Sequence, residues 1–310
     1  MATIPNRIHF IFGLHPDFGG KPFSFIHYLA VLSASIVNKP DEIILHYRYL
    51  PSGVWWDLAK PYLLLDQVPI PESVEGRPVS HFAHKADVLR LNILEREGGI
   101  YLDMDTFCIR PFTPLLTHST VLGIEPNAGL CNAVILAEKN APFIGVWKNG
   151  YSNFSDDNWR SHSVRLPYFL ARENPDLIHV ENEYAFFFPT YDDPMHRLLW
   201  SGEISFIQRS IGILRILAKS TYYLRGDRPK RVIPYIKHTL SSSSWYYSRL
   251  RNAYCMHHWE NIWWDSYLKT VSPKTLRSSD GLFARLVVDV IGKEMLDSLP
   301  EGNHEQDIVT

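Results

Sequence analysis

Apolar residues recur at Phe82, Ala86, Leu89 and Ile93, in steps of four, three and four, which is one stripe of an α-helix. Gly98-Gly99 ends that helix, because glycine takes a left-handed cap without a Cβ clash. Beyond the glycines the period changes to two, and residues 100–105 are predicted as a buried strand. Ile100, Leu102 and Met104 share one face, and Tyr101, Asp103 and Asp105 the other. Upstream, residues 4–12 (IPNRIHFIF) form an apolar-rich strand. Residues 22–37 form a helix carrying Phe23, Ile26, Tyr28, Leu29, Leu32 and Ile36. Glu42 to Tyr49 is a second strand, Ser52 caps a short helix holding Trp55, Trp56 and Leu58, and residues 63–65 give a short third strand before a loop at 69–78. Strands and helices alternate, so the expected class is α/β, with a mostly parallel sheet flanked by helices. Ligands of such sheets collect at the carboxyl ends of strands, where Asp103 and Asp105 fall.

Further on, residues 121–125 and 134–137 are predicted strands around a glycine-bearing turn that holds Asn132. Residues 142–172 are helical in two pieces broken at Pro167, and residues 186–189 make a buried strand or wall. Residues 204–219 place Ile204, Phe206, Ile207, Ile211, Leu214, Ile216 and Leu217 mostly opposite Gln208, Arg209, Gly212, Arg215 and Lys219, a basic amphipathic helix. The chain is therefore expected to divide into an α/β core at 1–200, a basic helical insertion at 201–252, a C-terminal segment at 253–299 and a polar, disordered tail at 300–310.

Composition changes this picture in two places. Net charge is −2 over 310 residues, which gives no case for nucleic-acid binding. Residues 204–251 nevertheless carry ten cations against Asp227 alone, a pattern that suits an anionic membrane surface. Cys108, Cys131 and Cys255 are odd in number and widely spaced, which supports neither a disulfide framework nor a zinc site and fits a reducing compartment. With no signal peptide at Met1 and no run of about 18 apolar residues, the expected location is cytoplasmic, peripheral at the cytoplasmic face of the membrane.

The candidate chemistry centres on the two aspartates. Chance alone supplies about one D-x-D pair in a chain with 18 aspartates, so the pair by itself says nothing. Its context does. Two carboxylates on one face repel unless a cation sits between them, and Mg²⁺ or Mn²⁺ bridges oxygen ligands to substrate phosphates. Asp87 and Arg90, three apart on the preceding helix, share a side. An acid and a forked donor just upstream of a metal pair suit a polyhydroxylated ligand.

The combination A-D-x-x-R followed by G-G-I-Y-L-D-x-D resembles the sugar-binding region of DXD-containing glycosyltransferases, the group with yeast outer-chain mannosyltransferases, α-galactosyltransferases and bacterial capsule enzymes. The resemblance covers residues 4–13 and 81–137, with a further piece at 255–264, and implies a GT-A-like fold. It implies that Phe12 stacks on the nucleotide base with Tyr101 nearby, that Asp103 touches both metal and ribose, and that Asp87, Arg90 and Asn132 hold the donor sugar. Asp103, Asp105 and His257 would bind the metal, manganese before magnesium because imidazole suits it better. The implied activity is retaining transfer of a sugar from a nucleotide-diphosphate sugar, a UDP-sugar favoured over GDP-mannose, to a glycan or lipid-linked glycan in polysaccharide synthesis. A protein-glycosylating effector and a catalytically inactive sugar-binding module are the alternatives. Ile262 departs from the family pattern, which carries a serine there.

Overall fold

The computed structural model describes residues 3–126, 128–157, 160–191, 195–202, 209–211, 213–214 and 232–301. In chain order the elements are β1 (Arg7–Phe12), α1 (Phe25–Asn38), β2 (Glu42–Tyr47), α2 (Val54–Ala59), β3 (Leu64–Gln67), β4 (Ser73–Val74), β5 (Arg77–Pro78), α3 (Phe82–Glu97), β6 (Gly99–Leu102) and β7 (Thr106–Cys108). There follow β8 (Thr120–Glu125), β9 (Gly129–Ala137), α4 (Pro142–Asn149), α5 (Leu166–Glu173), β10 (His179–Glu181), α6 (Val232–Leu240) and α7 (Ser243–Asn252). The last are β11 (Cys255–His257), α8 (Glu260–Trp263), α9 (Pro273–Arg277), α10 (Leu282–Ile291) and α11 (Lys293–Ser298).

Seven strands form one sheet in the order β10-β8-β9-β6-β1-β2-β3. All neighbours are parallel except β9, which runs against both β6 and β8. The strands at the centre are mostly apolar on both faces, with His9 and His46 buried among them, because helices cover both. On one face Ile8, Phe10, Leu45, Ile100 and Leu102 pack with Leu29 and Leu32 of α1 and with Phe283 and Val287 of α10. On the other, Ile11, Tyr101 and Ile135 pack with Leu91 and Leu94 of α3 and with Phe143 and Trp147 of α4. Tyr246 and Leu250 of α7 lie in the first of these cores, so the chain after 242 is built into the same body as the sheet. Among the described residues no helix is long and apolar enough to cross a membrane.

The glycine pair is demanded by the backbone. Gly98 and Gly99 have φ of 68° and 109°, and a Cβ on Gly99 would stand 2.7 Å from the Arg7 carbonyl oxygen and 2.8 Å from His9 Nε2. That close approach brings the start of β6 against β1.

Several predicted boundaries move, each for a local reason. The strand predicted over 100–105 stops at Leu102. Asp103 opens a turn closed by Thr106 N–H donating to the Asp103 carbonyl at 3.0 Å, and the chain then reverses into β7. Aspartate favours that first turn position. Asn132 lies inside β9, whose nine residues extend well before the predicted start at 134. Pro167 begins α5 rather than breaking a helix, since a proline near a helix start gives up no hydrogen bond. Gly53, at φ 104°, caps α2 in place of Ser52. The loop at 69–78 contains the β4–β5 hairpin. Phe186, Phe187 and Phe188 are core without forming a strand. Of the basic helix predicted over 204–219, residues 204–208, 212 and 215–219 lie outside the described residues, as do Asp192, Asp193 and the tail from 302.

Candidate active site

The site assembles where β6 ends. Helix α3 delivers Asp87 and Arg90 on one side, both buried, and β9 delivers Asn132 from the neighbouring strand. Asn132 Nδ2 donates to Asp87 Oδ1 at 2.7 Å, and Arg90 Nη2 stands 3.3 Å from the same oxygen. Arg90 Nη1 donates to the Asn132 carbonyl at 2.8 Å and reaches Asp103 Oδ1 at 3.2 Å, while its Nε donates to the Ala86 carbonyl at 3.3 Å. The guanidinium lies over the Tyr101 ring, 4.5 Å from its centre. Arginine alone has enough donors in a rigid fork to tie a helix, a strand and a turn together in this way.

Tyr101 is buried in the sheet, and its hydroxyl donates to Asp103 Oδ1 at 2.7 Å. The Asp103 oxygen Oδ1 is thus fixed by Tyr101 and Arg90, leaving Oδ2 to face His257 Nε2 at 3.7 Å. Asp105 is held in the opposite sense. Its Oδ2 accepts from Glu260 N–H at 2.8 Å, and its Oδ1 faces His257 Nε2 at 3.0 Å. Each carboxylate has one oxygen tied to the protein and one turned to a common centre.

His257 reaches that centre because β11 pairs antiparallel with β7, which sets His257 opposite Thr106. Its ring is gripped edge-on by Trp259 at 4.4 Å and by Phe187 at 6.1 Å. Trp259 has φ 58° and ψ 49°, a left-handed conformation that costs a bulky residue about 1–2 kcal/mol. The turn it makes aims Glu260 N–H at Asp105. Strain of this kind concentrates at functional sites.

The charges respond to one another. Burial alone would raise the Asp105 carboxyl, but the His257 imidazolium and the Glu260 N–H hold it well below the usual carboxylate range. Burial works against charge on His257 too, yet Asp105 and Asp103 lift it to about 10. Burial pushes the Asp87 carboxyl up, against the pull of Arg90 and Asn132. Asp103 and Asp105 thus draw positive charge to the point they share, which in this structure is the His257 imidazolium.

Do these residues fit a divalent metal? One ligand atom from each of Asp103, Asp105 and His257 lies within 4.8 Å of the others. Two hard carboxylate oxygens and one imidazole nitrogen, with the outer oxygens immobilised, are a donor set for Mn²⁺ or Mg²⁺. They fit.

Phe12, at the carboxyl end of β1, lies apart from this cluster. Its ring stacks on Phe18 at 5.7 Å and meets Phe23 and His27 edge-on at 5.3 and 5.0 Å. The link to the centre is Glu260, whose carboxylate pairs with His27 Nε2 at 2.9 Å and with Lys21 Nζ at 3.5 Å. The structure therefore joins Asp87, Arg90, Asn132, Tyr101, Asp103, Asp105 and His257 directly, with Phe12 at one remove. Sequence reasoning missed Glu260 altogether. Its contribution is a backbone N–H placed by a turn 155 positions from Asp105, and no side-chain pattern encodes that.

Three comparisons bear on this geometry. Residues 63–122 match the family described as glycosyltransferase sugar-binding region containing DXD motif. The chain is 36% identical over 302 residues to Glucan organizing enzyme 1 of Cryptococcus neoformans var. grubii, covering 93% of this chain and 71% of that protein. Shorter matches of 42% and 40% identity, each covering 19% of this chain, link it to Subversion of eukaryotic traffic protein A of Legionella pneumophila and to Inositol phosphoceramide mannosyltransferase 3 of Schizosaccharomyces pombe. These cover 10% and 17% of the relatives themselves. Among solved structures the PaToxG glycosyltransferase aligns over 81% of this chain and 89% of its own, at 15% identity and a TM-score of 0.40, too loose to add to the argument. The relative that matches along 93% of this chain, together with the motif at the end of β6, decides the matter: the chain belongs to the glycosyltransferases whose sugar-binding region contains a DXD motif.

Proposed function

We propose that this enzyme is a metal-dependent, retaining glycosyltransferase that moves a sugar from a nucleoside diphosphate to a glycan. The observation that carries the reading is the convergence of Asp103 Oδ2, Asp105 Oδ1 and His257 Nε2 with their opposite atoms tied down. These three residues would hold Mn²⁺ in preference to Mg²⁺, and the ion supplies Lewis-acid stabilisation of the departing diphosphate. Tyr101 and Arg90 fix the rotamer of Asp103, so Tyr101 acts through Asp103 rather than on the nucleotide. Asp87, anchored by Arg90 and Asn132 through Oδ1, offers Oδ2 to donor-sugar hydroxyls, and orientation of C1 follows. Phe12 offers the aromatic surface for the base, uracil before guanine. Retention of configuration and a role in polysaccharide synthesis rest on family membership. The fungal relative's name speaks of glucan, which supports a glycan acceptor over a protein.

A thermal-shift panel tests this. A uridine or guanosine diphosphate at a hundred times its Kd adds about 2.7 kcal/mol of stability. The rise in Tm is expected with Mn²⁺ present, largest for the diphosphate of the right base. No rise for any nucleoside diphosphate in Mn²⁺ would reject the reading.

We also place the enzyme at an anionic membrane surface on the cytoplasmic side, presenting the site to a lipid-linked acceptor. Ile211, Leu214 and Leu240 are 43%, 64% and 67% exposed, beside the cation-rich stretch 204–251. One predicted contact needs revision. Arg209 spends its Nη1 on the Thr239 and Ser241 carbonyls, 2.7 Å each, where it closes the end of α6. Its loss would damage the fold, so Leu214→Glu with Leu240→Glu is the better probe. That pair is expected to abolish sedimentation with anionic liposomes. Binding by wild type that ignores lipid charge and salt would overturn the placement.

A further inference from the structure

The metal centre, the donor-sugar residues and Phe12 occupy only part of the edge at which the sheet presents its ligand. Along that edge lie the carboxyl ends of β1 and β6, then the amino end of antiparallel β9, then the carboxyl end of β8, giving the order Phe12, Asp103, Asn132, Glu125. The nucleotide side is β1 and the metal side is β6. What remains, over β9 and β8, lies on the far side of the reacting centre from the base.

That side is lined. Glu125 ends β8 almost fully buried, at 3% exposure, and its carboxylate lies beside the Cys131 thiol and within electrostatic reach of the Arg160 guanidinium. Arg160 Nη2 donates to the Tyr191 hydroxyl at 2.8 Å, and the guanidinium lies over the Tyr191 ring, 5.3 Å from its centre. Tyr191 meets Trp259 edge-on at 5.2 Å, and Trp259 meets His257 at 4.4 Å. A polar and aromatic wall thus runs from Arg160 to the histidine of the metal centre in three contacts. The residues after Arg160, Ser161–Arg165, form a single π-helical turn, a feature that recurs at functional sites.

We infer that Arg160, seated on Tyr191, binds the acceptor, and that the acceptor sugar there is uncharged. The inference rests on the transferase reading of the site and names the substrate class on its second side. A guanidinium has five N–H donors in a plane, of which Nη2–H···O(Tyr191) uses one, and vicinal sugar hydroxyls match such a fork. The half-buried Tyr191 ring adds aromatic surface, which packs on the C–H face of a pyranose as on other apolar surfaces, and buried Trp259 backs it. Charge selects against an anionic sugar. Glu125 offsets Arg160, Arg90 is taken up by Asp87 and Asp103, and the bound cation is taken up by the donor diphosphate with Asp105, so a further carboxylate or phosphate would find no free positive charge.

The test uses the full chain with Mn²⁺ and uridine diphosphate, and saturation-transfer NMR on methyl glycosides of glucose, mannose and galactose, with methyl glucuronide as the charged probe. Wild type is expected to saturate at least one neutral glycoside and not the glucuronide. Arg160→Met should weaken that glycoside by about tenfold or more, and Tyr191→Phe, which keeps the ring and loses only the hydroxyl, by about threefold. The rise in Tm on adding uridine diphosphate and Mn²⁺ should be the same in all three proteins, since the donor lies on the other side. A glycoside signal absent from wild type, unchanged in Arg160→Met, or confined to the glucuronide overturns the inference. So does a parallel loss of the nucleotide shift, which would make Arg160 a donor-side or structural residue. Should Arg160→Met fail to fold, Tyr191→Phe decides. If wild type shows no shift with either uridine or guanosine diphosphate, the transferase reading falls while the glycoside signal still judges Arg160.

Discussion

Asp105→Asn is expected to reduce divalent-metal-dependent hydrolysis of the nucleotide sugar, the side reaction in which water replaces the acceptor, by about a thousandfold. Asparagine keeps the volume and keeps an oxygen for Glu260 N–H, so the turn at Trp259 survives. What it removes is the anionic oxygen 3.0 Å from His257. The fold should therefore hold, with a Tm near wild type, while calorimetric titration shows Mn²⁺ binding lost. Turnover of Asp105→Asn at the wild-type rate, or wild-type turnover undiminished in excess chelator, would remove the metal from the mechanism.

Arg90→Ala is expected to cost stability as well as activity. The guanidinium is 5% exposed and contacts Asp87, Asp103, Asn132 and Ala86 together. Removing one partner from a buried ion pair typically costs about 3–5 kcal/mol, because the other charge is left without compensation. For a chain of this size that is a fall in Tm of about 10 °C. Were Arg90 a sugar contact alone, the free diphosphate would bind Arg90→Ala as well as wild type. On the proposed reading the loss reaches further, since Arg90 also contacts the Asp103 carboxylate. Calorimetry should show both nucleoside diphosphate and nucleotide sugar weakened, and Arg90→Lys should restore charge without restoring the fork. A variant as stable as wild type, with diphosphate affinity intact, would sink this assignment.

Much of the site was legible before any coordinates. The helix 82–97 was readable because its stripe keeps the helical period, and the glycine pair because no other residue takes its backbone angles. Asp103 and Asp105 were found by spacing in context, although the reason offered was incomplete. Alternation along a strand would put both side chains on one face, whereas they converge because the chain turns at Asp103 with one carboxylate fixed from the β6 side and the other from the C-terminal segment. His257 was placed by resemblance, and its approach to the aspartates depends on the pairing of β11 with β7.

The sequence by itself determined the helix 82–97 with its glycine end and the early alternation of strands and helices, the cluster Asp87, Arg90, Asp103 and Asp105 within one short stretch, and the segregation of positive charge into 204–251. Those properties depend on neighbours a few residues apart, and periodicity and composition record them directly. Only the tertiary structure decided that Asn132 lies within a strand, that Arg90 is a clamp shared by three elements, that Arg209 closes a helix end, and that Glu260 holds Asp105 by its backbone. Each of these is a contact between residues distant in the chain. Its partner is chosen by strand register and by which buried polar groups must be satisfied, and neither is written in any local pattern.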